Sequence, residues 1–136
     1  MLLDLSSLEK ALYSLDASLK EYKKNHNDFI RDSCIQRFEY CYELSTKMIK
    51  RFLELTSPAA DVIDELSFPD LIRKGSEVGL LQTEWPNWKK YRDARNTTSH
   101  AYNEIKATEV MAVIPNFFHE SQFLLSQLKK RNLSNE

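Results

Sequence analysis

Glycine is nearly missing: Gly75 and Gly79 are the only two in 136 residues. Tight hairpin turns draw heavily on glycine for positive φ, so an all-β fold is excluded on this count. Long hydrophobic runs are missing as well, and nothing approaches the roughly 20 apolar residues that a membrane span requires. Cysteine is scarce. Cys34 and Cys41 stand seven apart in a segment that reads as helix, which separates their Cα atoms by about 10 Å. That exceeds the roughly 7 Å limit for a disulfide, so the two are expected as small apolar groups on one buried face. No Cys/His spacing points to a metal. Excess charge of one sign is lacking too: the formal net charge is -1, which removes the general attraction that marks a nonspecific nucleic-acid binder. Any contact with RNA must rest on a local patch.

What is present is a folded-protein mixture, with 42% hydrophobic and 29% charged residues, and a length that fits one domain. That domain is expected over residues 1–131, followed by a frayed tail at 132–136. The opening residues, Met1-Leu2-Leu3-Asp4-Leu5, reach an acid at once and show no basic region or small-residue cleavage site. A cytoplasmic location without membrane contact is the resulting expectation, and it makes the Asn-x-Ser/Thr matches at Asn96 and Asn132 chance occurrences.

Apolar residues recur at three and four along Leu5, Leu8, Leu12, Leu15, Leu19 and Tyr22, which predicts an amphipathic helix. His26-Asn27-Asp28 supplies capping side chains, and Ile30, Cys34, Phe38, Cys41, Leu44, Met48 and Phe52 then predict a second helix to about Thr56. Ser57-Pro58 and Ser67-Phe68-Pro69-Asp70 both read as starts of short helices, with proline in the first turn. The two glycines mark a helix end or bend. Thr83-Glu84-Trp85-Pro86 opens another helix, which is expected to fail at Thr97-Thr98-Ser99, where hydroxyls compete for backbone hydrogen bonds. The last helix carries Val110, Ile114, Phe117, Leu124 and Leu128, widened by Met111, Phe118 and Leu125, with Pro115 expected to interrupt and kink it. The predicted architecture is all-α, an up-and-down bundle of four to five helices. The broad apolar face of its last helix points to burial between two subunits.

Three histidines are candidates for proton transfer, because an imidazole exchanges protons near neutral pH. His26 lies in a polar helix-helix turn and His119 has no partner at ligand spacing, so both read as solvated or capping groups. His100 has different company: Arg95 precedes it by five residues and Tyr102 follows by two. In an unbroken helix Arg95 and His100 would point about 140° apart. A break at Thr97-Thr98-Ser99 lets His100 fold back toward Arg95, or lets each meet its counterpart in a second subunit. Guanidinium and imidazole together suit RNA cleavage without metal. The imidazole moves the 2′-OH or leaving-group proton, the guanidinium holds the phosphate, and a 2′,3′-cyclic phosphate results. On spacing alone the blander alternative has the larger weight, with Arg95 in a surface ion pair and His100 on a helix end. Lys89, Lys90 and Arg92 make the neighbourhood basic, which is also how a solvated face looks. Trp85, Trp88 and Tyr91 could stack bases, but their spacing of three favours core.

Two stretches, Ile35-Gln36-Arg37-Phe38-Glu39-Tyr40-Cys41-Tyr42-Glu43-Leu44-Ser45-Thr46-Lys47 and Trp88 through Tyr102, resemble the HEPN superfamily. The likeness is to its small HepT-like members, the nucleotidyltransferase substrate-binding proteins paired with a minimal nucleotidyltransferase. The family's Arg-x4-His-x-Tyr motif falls on Arg95, His100 and Tyr102 without a gap. The resemblance implies a homodimer whose two copies of Arg95 and His100 form one metal-independent ribonuclease site, with Asn96 in support and no cofactor. It also implies a toxin-antitoxin pair, in which the partner transfers AMP to Tyr102 and silences the nuclease. A noncatalytic module that presents a nucleotide or substrate to that partner is the alternative, and a bundle whose motif merely closes an interface is a third reading. The sequence departs from the family at Thr46, where tryptophan is common before the lysine, here Lys47.

Overall fold

The computed structural model describes residues 3–134. Six α-helices follow in order: α1 (Ser6–Lys24), α2 (Asp28–Thr56), α3 (Ala60–Asp64), α4 (Phe68–Glu77), α5 (Trp85–Thr97) and α6 (Glu104–Ser134). A 3₁₀ turn, Thr98–His100, joins α5 to the loop before α6. The all-α expectation holds, and the described helices number six against the four to five expected, counting the two short ones, α3 and α4, both of which were anticipated. Helix α6 runs on through Ser134, beyond the point at which a frayed tail was expected to begin. The Asn132 side chain donates to the Leu3 carbonyl at 3.0 Å and accepts from its N-H, tying the two ends of the bundle together. The remainder of the expected tail, 135–136, and the first two residues lie outside the described range.

Local chemistry explains most of the boundaries. Asn27 caps α2 by accepting from the N-H groups of Phe29 and Ile30, satisfying two of the donors that a helix start leaves open. Ser67 does the same for α4 through Asp70 N-H. Helix α3 departs from expectation, starting at Ala60 and not at Ser57-Pro58. Ser57 keeps extended backbone ahead of the proline, and its hydroxyl accepts from Ala59 N-H, so helical turns begin only after that small turn closes. Helix α4 ends in a Schellman motif: Leu80 N-H donates to Gly75 O at 2.9 Å and Gly79 N-H to Ser76 O at 3.1 Å, with Gly79 at φ 76°. Helix α6 continues through Pro115 where an interruption was expected, held on either side by the fully buried Ile114 and Phe117.

Helix α2 is the spine, touching α1, α3, α4, α5 and α6. Phe117 sits at the centre of an aromatic cluster, with Phe38 edge-on at 5.1 Å and Tyr91 edge-on at 5.5 Å. Trp88 and Tyr91 are buried and Trp85 packs edge-on against Phe68, so these aromatics build the core. Cys34 and Cys41 are free thiols on the buried face of α2. Met111 and Phe118, the widening of the α6 face, are partly buried against the same core. Between α2 and α6, Ser45 and Ser121 share a buried hydroxyl-hydroxyl hydrogen bond of 2.6 Å, which satisfies both polar groups inside the apolar layer. No described helix is long and apolar enough to cross a membrane.

Candidate functional site

The hydroxyls that follow Arg95 turn its helix into a corner. Thr97 Oγ1 donates to Asp93 O, Thr98 Oγ1 to Arg95 O at 2.7 Å and Ser99 Oγ to Asn96 O. Each one offers the backbone a partner other than the next helical N-H, and the chain tightens from α-helix to 3₁₀ at Thr98. The turn ends with Asn103 N-H donating to His100 O at 3.0 Å. Asn103 then caps α6, its Oδ1 accepting from Ile105 N-H at 2.9 Å and Lys106 N-H at 3.2 Å. His100 and Tyr102 thus ride on a short, hydrogen-bonded corner between two helices.

That corner is pinned to the rest of the bundle by a buried charge. Arg31, on α2, has its guanidinium 2.7 Å from Glu104 and 3.1 Å from Asp32. Burial disfavours the charged guanidinium, but its hydrogen bonds to Glu104 and Asp32 outweigh it and the group's pKa lies above its ordinary value. Glu104 is the first residue of α6, so this ion pair fixes where α6 starts and hence where the corner points.

Arg95 is half-buried on the inner side of α5. Its Nε donates to Glu43 at 3.0 Å, its Nη1 donates to Thr98 Oγ1 at 3.1 Å, and Glu39 lies 3.5 Å from Nη1. The guanidinium is therefore oriented by two carboxylates one helical turn apart on α2 and by the hydroxyl that ends α5. Glu39 and Glu43 lie inside the stretch singled out by family likeness, yet no role was read for them; their signal is the i,i+4 spacing of two acids on α2.

His100 is exposed, and its ring meets that of Tyr102 at 6.3 Å, edge to face. Tyr102 is 84% exposed, an unusual position for a large aromatic. The structure brings His100 and Tyr102 together. Within one chain it joins Arg95 to α2 instead of to His100, with no hydrogen bond or ion pair between the two among the described residues. Asn96 is exposed beside Arg95, and both line a cleft between α2, α4 and α5. The other two histidines are exposed: His26 stacks on Tyr22 at 4.8 Å, and His119 lies beside Phe118. Lys89 pairs with Asp93, and Arg92 lies over the Phe68 ring at 5.5 Å. Among the described residues no three His, Cys, Asp or Glu side chains gather as a metal site.

A family model described as nucleotidyltransferase substrate binding protein like matches residues 3–130. A Haemophilus influenzae protein named "Probable ribonuclease HepT" is 38% identical over 139 residues, spanning 96% of this chain and 94% of its own. A solved structure from Haemophilus influenzae, described as revealing the fold of a substrate binding domain of a nucleotidyltransferase, is 37% identical with a TM-score of 0.88. That match covers 93% of this chain and 99% of the other.

Proposed function

The chain belongs to the nucleotidyltransferase substrate binding protein like family, and from that premise and the corner geometry we propose that it is a metal-independent endoribonuclease toxin of a HEPN toxin-antitoxin pair. Its cognate nucleotidyltransferase silences it by transferring AMP to Tyr102. The observation that carries this reading is the helix break between Arg95 and His100, which frees the imidazole to solvent while α2 holds the guanidinium in a fixed pose.

His100 accepts the proton of a ribose 2′-OH, and that oxygen forms a bond to the adjacent phosphorus. The bond from phosphorus to the 5′ oxygen breaks, leaving a 2′,3′-cyclic phosphate and a 5′-OH that takes up a proton. Arg95 binds the phosphate and stabilises the charge that grows on its oxygens. Because Arg95 and His100 share no direct contact within one protomer, the reactive set is completed across a homodimer, each copy supplying both groups. Tyr102 attacks the α-phosphate of ATP on the partner enzyme, with pyrophosphate leaving. The adduct adds bulk and negative charge next to His100 and repels the RNA backbone. The protein works in the cytoplasm.

Incubation of purified protein with RNA in EDTA tests the reading: fragments ending in 2′,3′-cyclic phosphate are expected, and both Arg95→Ala and His100→Ala should stop their formation. Undiminished cleavage by His100→Ala overturns it. The second reading, a noncatalytic module that presents a nucleotide or substrate to the partner, draws support from the family description and the neighbouring structure. It expects a stable complex with the nucleotidyltransferase and no RNA cleavage by the wild type in any condition.

A further inference from the structure

The net charge of the chain is -1, yet its cations are not evenly spread. A cleft of about 710 Å³ between α2, α4 and α5 is lined by Lys47, Lys50, Arg92 and Arg95 against one lining carboxylate, Glu43. Lys50 is paired with Asp64 at 2.8 Å, and Arg95 with Glu39 and Glu43. Lys47 and Arg92 have no acidic partner among the described residues, and both are exposed. Arg92 lies with its Cζ 5.5 Å from the Phe68 ring centroid, which puts a cation and an aromatic ring side by side on the cleft wall.

The cleft starts at the Arg95 guanidinium and runs along α2 from Glu43 to Lys50, about 10 Å at the helical rise. We propose that it binds the RNA strand beside the cut linkage, Lys47 and Arg92 taking successive backbone phosphates and the Arg92-Phe68 surface receiving a base. The inference rests on the ribonuclease reading and extends it from the scissile phosphate to its neighbours. A positive groove with a stacking surface is the arrangement that holds single strands without reading their sequence. Local charge of this kind also supplies what the overall balance lacks.

The test uses the full-length protein and a fluorescent RNA oligonucleotide carrying 2′-O-methyl ribose at every position, which binds and is not cut. Lys47→Glu and Arg92→Ala should each weaken binding about tenfold and lower the slope of log affinity against log salt by about 0.7. On cleavable RNA the same variants should raise KM far more than they lower kcat. Equal affinity and equal slope in wild type and both variants overturns the cleft assignment, even where the wild type cuts RNA. Lost oligonucleotide binding in the variants supports the cleft even where the wild type cuts nothing, which removes the nuclease reading alone. Titration with AMP and ATP separates a free nucleotide from a strand: variants that lose only the mononucleotide overturn the proposal. Thermal melting of Lys47→Glu and Arg92→Ala within a few degrees of wild type confirms that the fold is kept, and Lys47→Gln, which removes one charge from the same exposed site, should show a smaller loss of binding than Lys47→Glu.

Discussion

Glu43 holds the Arg95 guanidinium through a 3.0 Å hydrogen bond from Nε, across 52 residues of sequence. A phosphate that binds Arg95 must therefore compete with a carboxylate already in place. Exposed pairs of this type are worth about 0.2–1 kcal/mol, because water and salt screen them. Glu43→Gln should tighten binding of uncleavable RNA by up to about fivefold at low salt, with the gain shrinking as salt is raised. Fluorescence anisotropy across a salt series measures this. Weaker binding by Glu43→Gln at every salt concentration would mean that the carboxylate orients the guanidinium more than it competes.

Tyr102 and His100 make a different kind of pair, since only the ring of Tyr102 meets the imidazole and its side chain is open to solvent. Tyr102→Phe keeps the ring and removes the hydroxyl that would accept AMP. RNA cleavage by the isolated variant should stay within about twofold of wild type, while co-expression with the nucleotidyltransferase should no longer silence it. Intact-mass and peptide spectrometry should find AMP on the wild-type peptide containing Tyr102 and none on the variant. Adenylation at another residue, with silencing preserved, removes Tyr102 from the proposal.

The helices were legible because their cause is local. A stripe of leucines, an asparagine cap at Asn27 and three hydroxyls at Thr97-Thr98-Ser99 act within one or two turns, so their effects follow from spacing. Two local signals misled: at Ser57-Pro58 the serine had two possible jobs and took the turn over the cap, and at Pro115 the helix ran on through the proline. The partners of Arg95 were not legible, because Glu39 and Glu43 reach it only once α2 and α5 have packed. The same holds for Arg31 and Glu104, 73 residues apart, and for the cleft that gathers Lys47 from one helix and Arg92 from another. Long-range charge placement follows packing, and packing was visible only as a list of apolar positions.

Glu120 supplies an example with a consequence for stability. This side chain is 1% exposed, and its oxygens accept from Gln82 N-H at 2.7 Å and Thr83 N-H at 3.1 Å, and also from the Thr83 hydroxyl. It closes the loop between α4 and α5 by giving acceptors to backbone donors that have no helical partner. Glu120→Ala strands those donors next to a buried void and should cost about 2–4 kcal/mol, read as a drop in the urea midpoint with an unchanged m-value. Glu120→Gln keeps one acceptor oxygen and should lose less. Equal stability of the alanine variant and wild type would show that water replaces the carboxylate at no cost.

Buried acids on α2, among them Cys34, Cys41 and Tyr42, lower the stability of the fold in alkali, and Cys41 and Tyr42 carry the large shifts. Burial pushes the Cys41 thiol up to about 12, and it pushes the Tyr42 hydroxyl to about 12 despite the opposing pull of the Arg92 charge. In the unfolded chain both ionise at their ordinary values, near 9 and 10. Between those values and 12 the native state holds more protons than the unfolded state, so stability must fall as pH rises through this window. Below about pH 8 both groups are protonated in both states and contribute no slope. Urea midpoints measured from pH 8 to 11 should therefore decline, and Tyr42→Phe should recover about 1 kcal/mol of the loss by pH 11, since it removes one of these ionisations. Cys41 should likewise resist iodoacetamide at pH 8 in the native protein and react once urea unfolds it. A native-state reaction as fast as the unfolded one would place the thiol in solvent, against the packing of α2 on its neighbours.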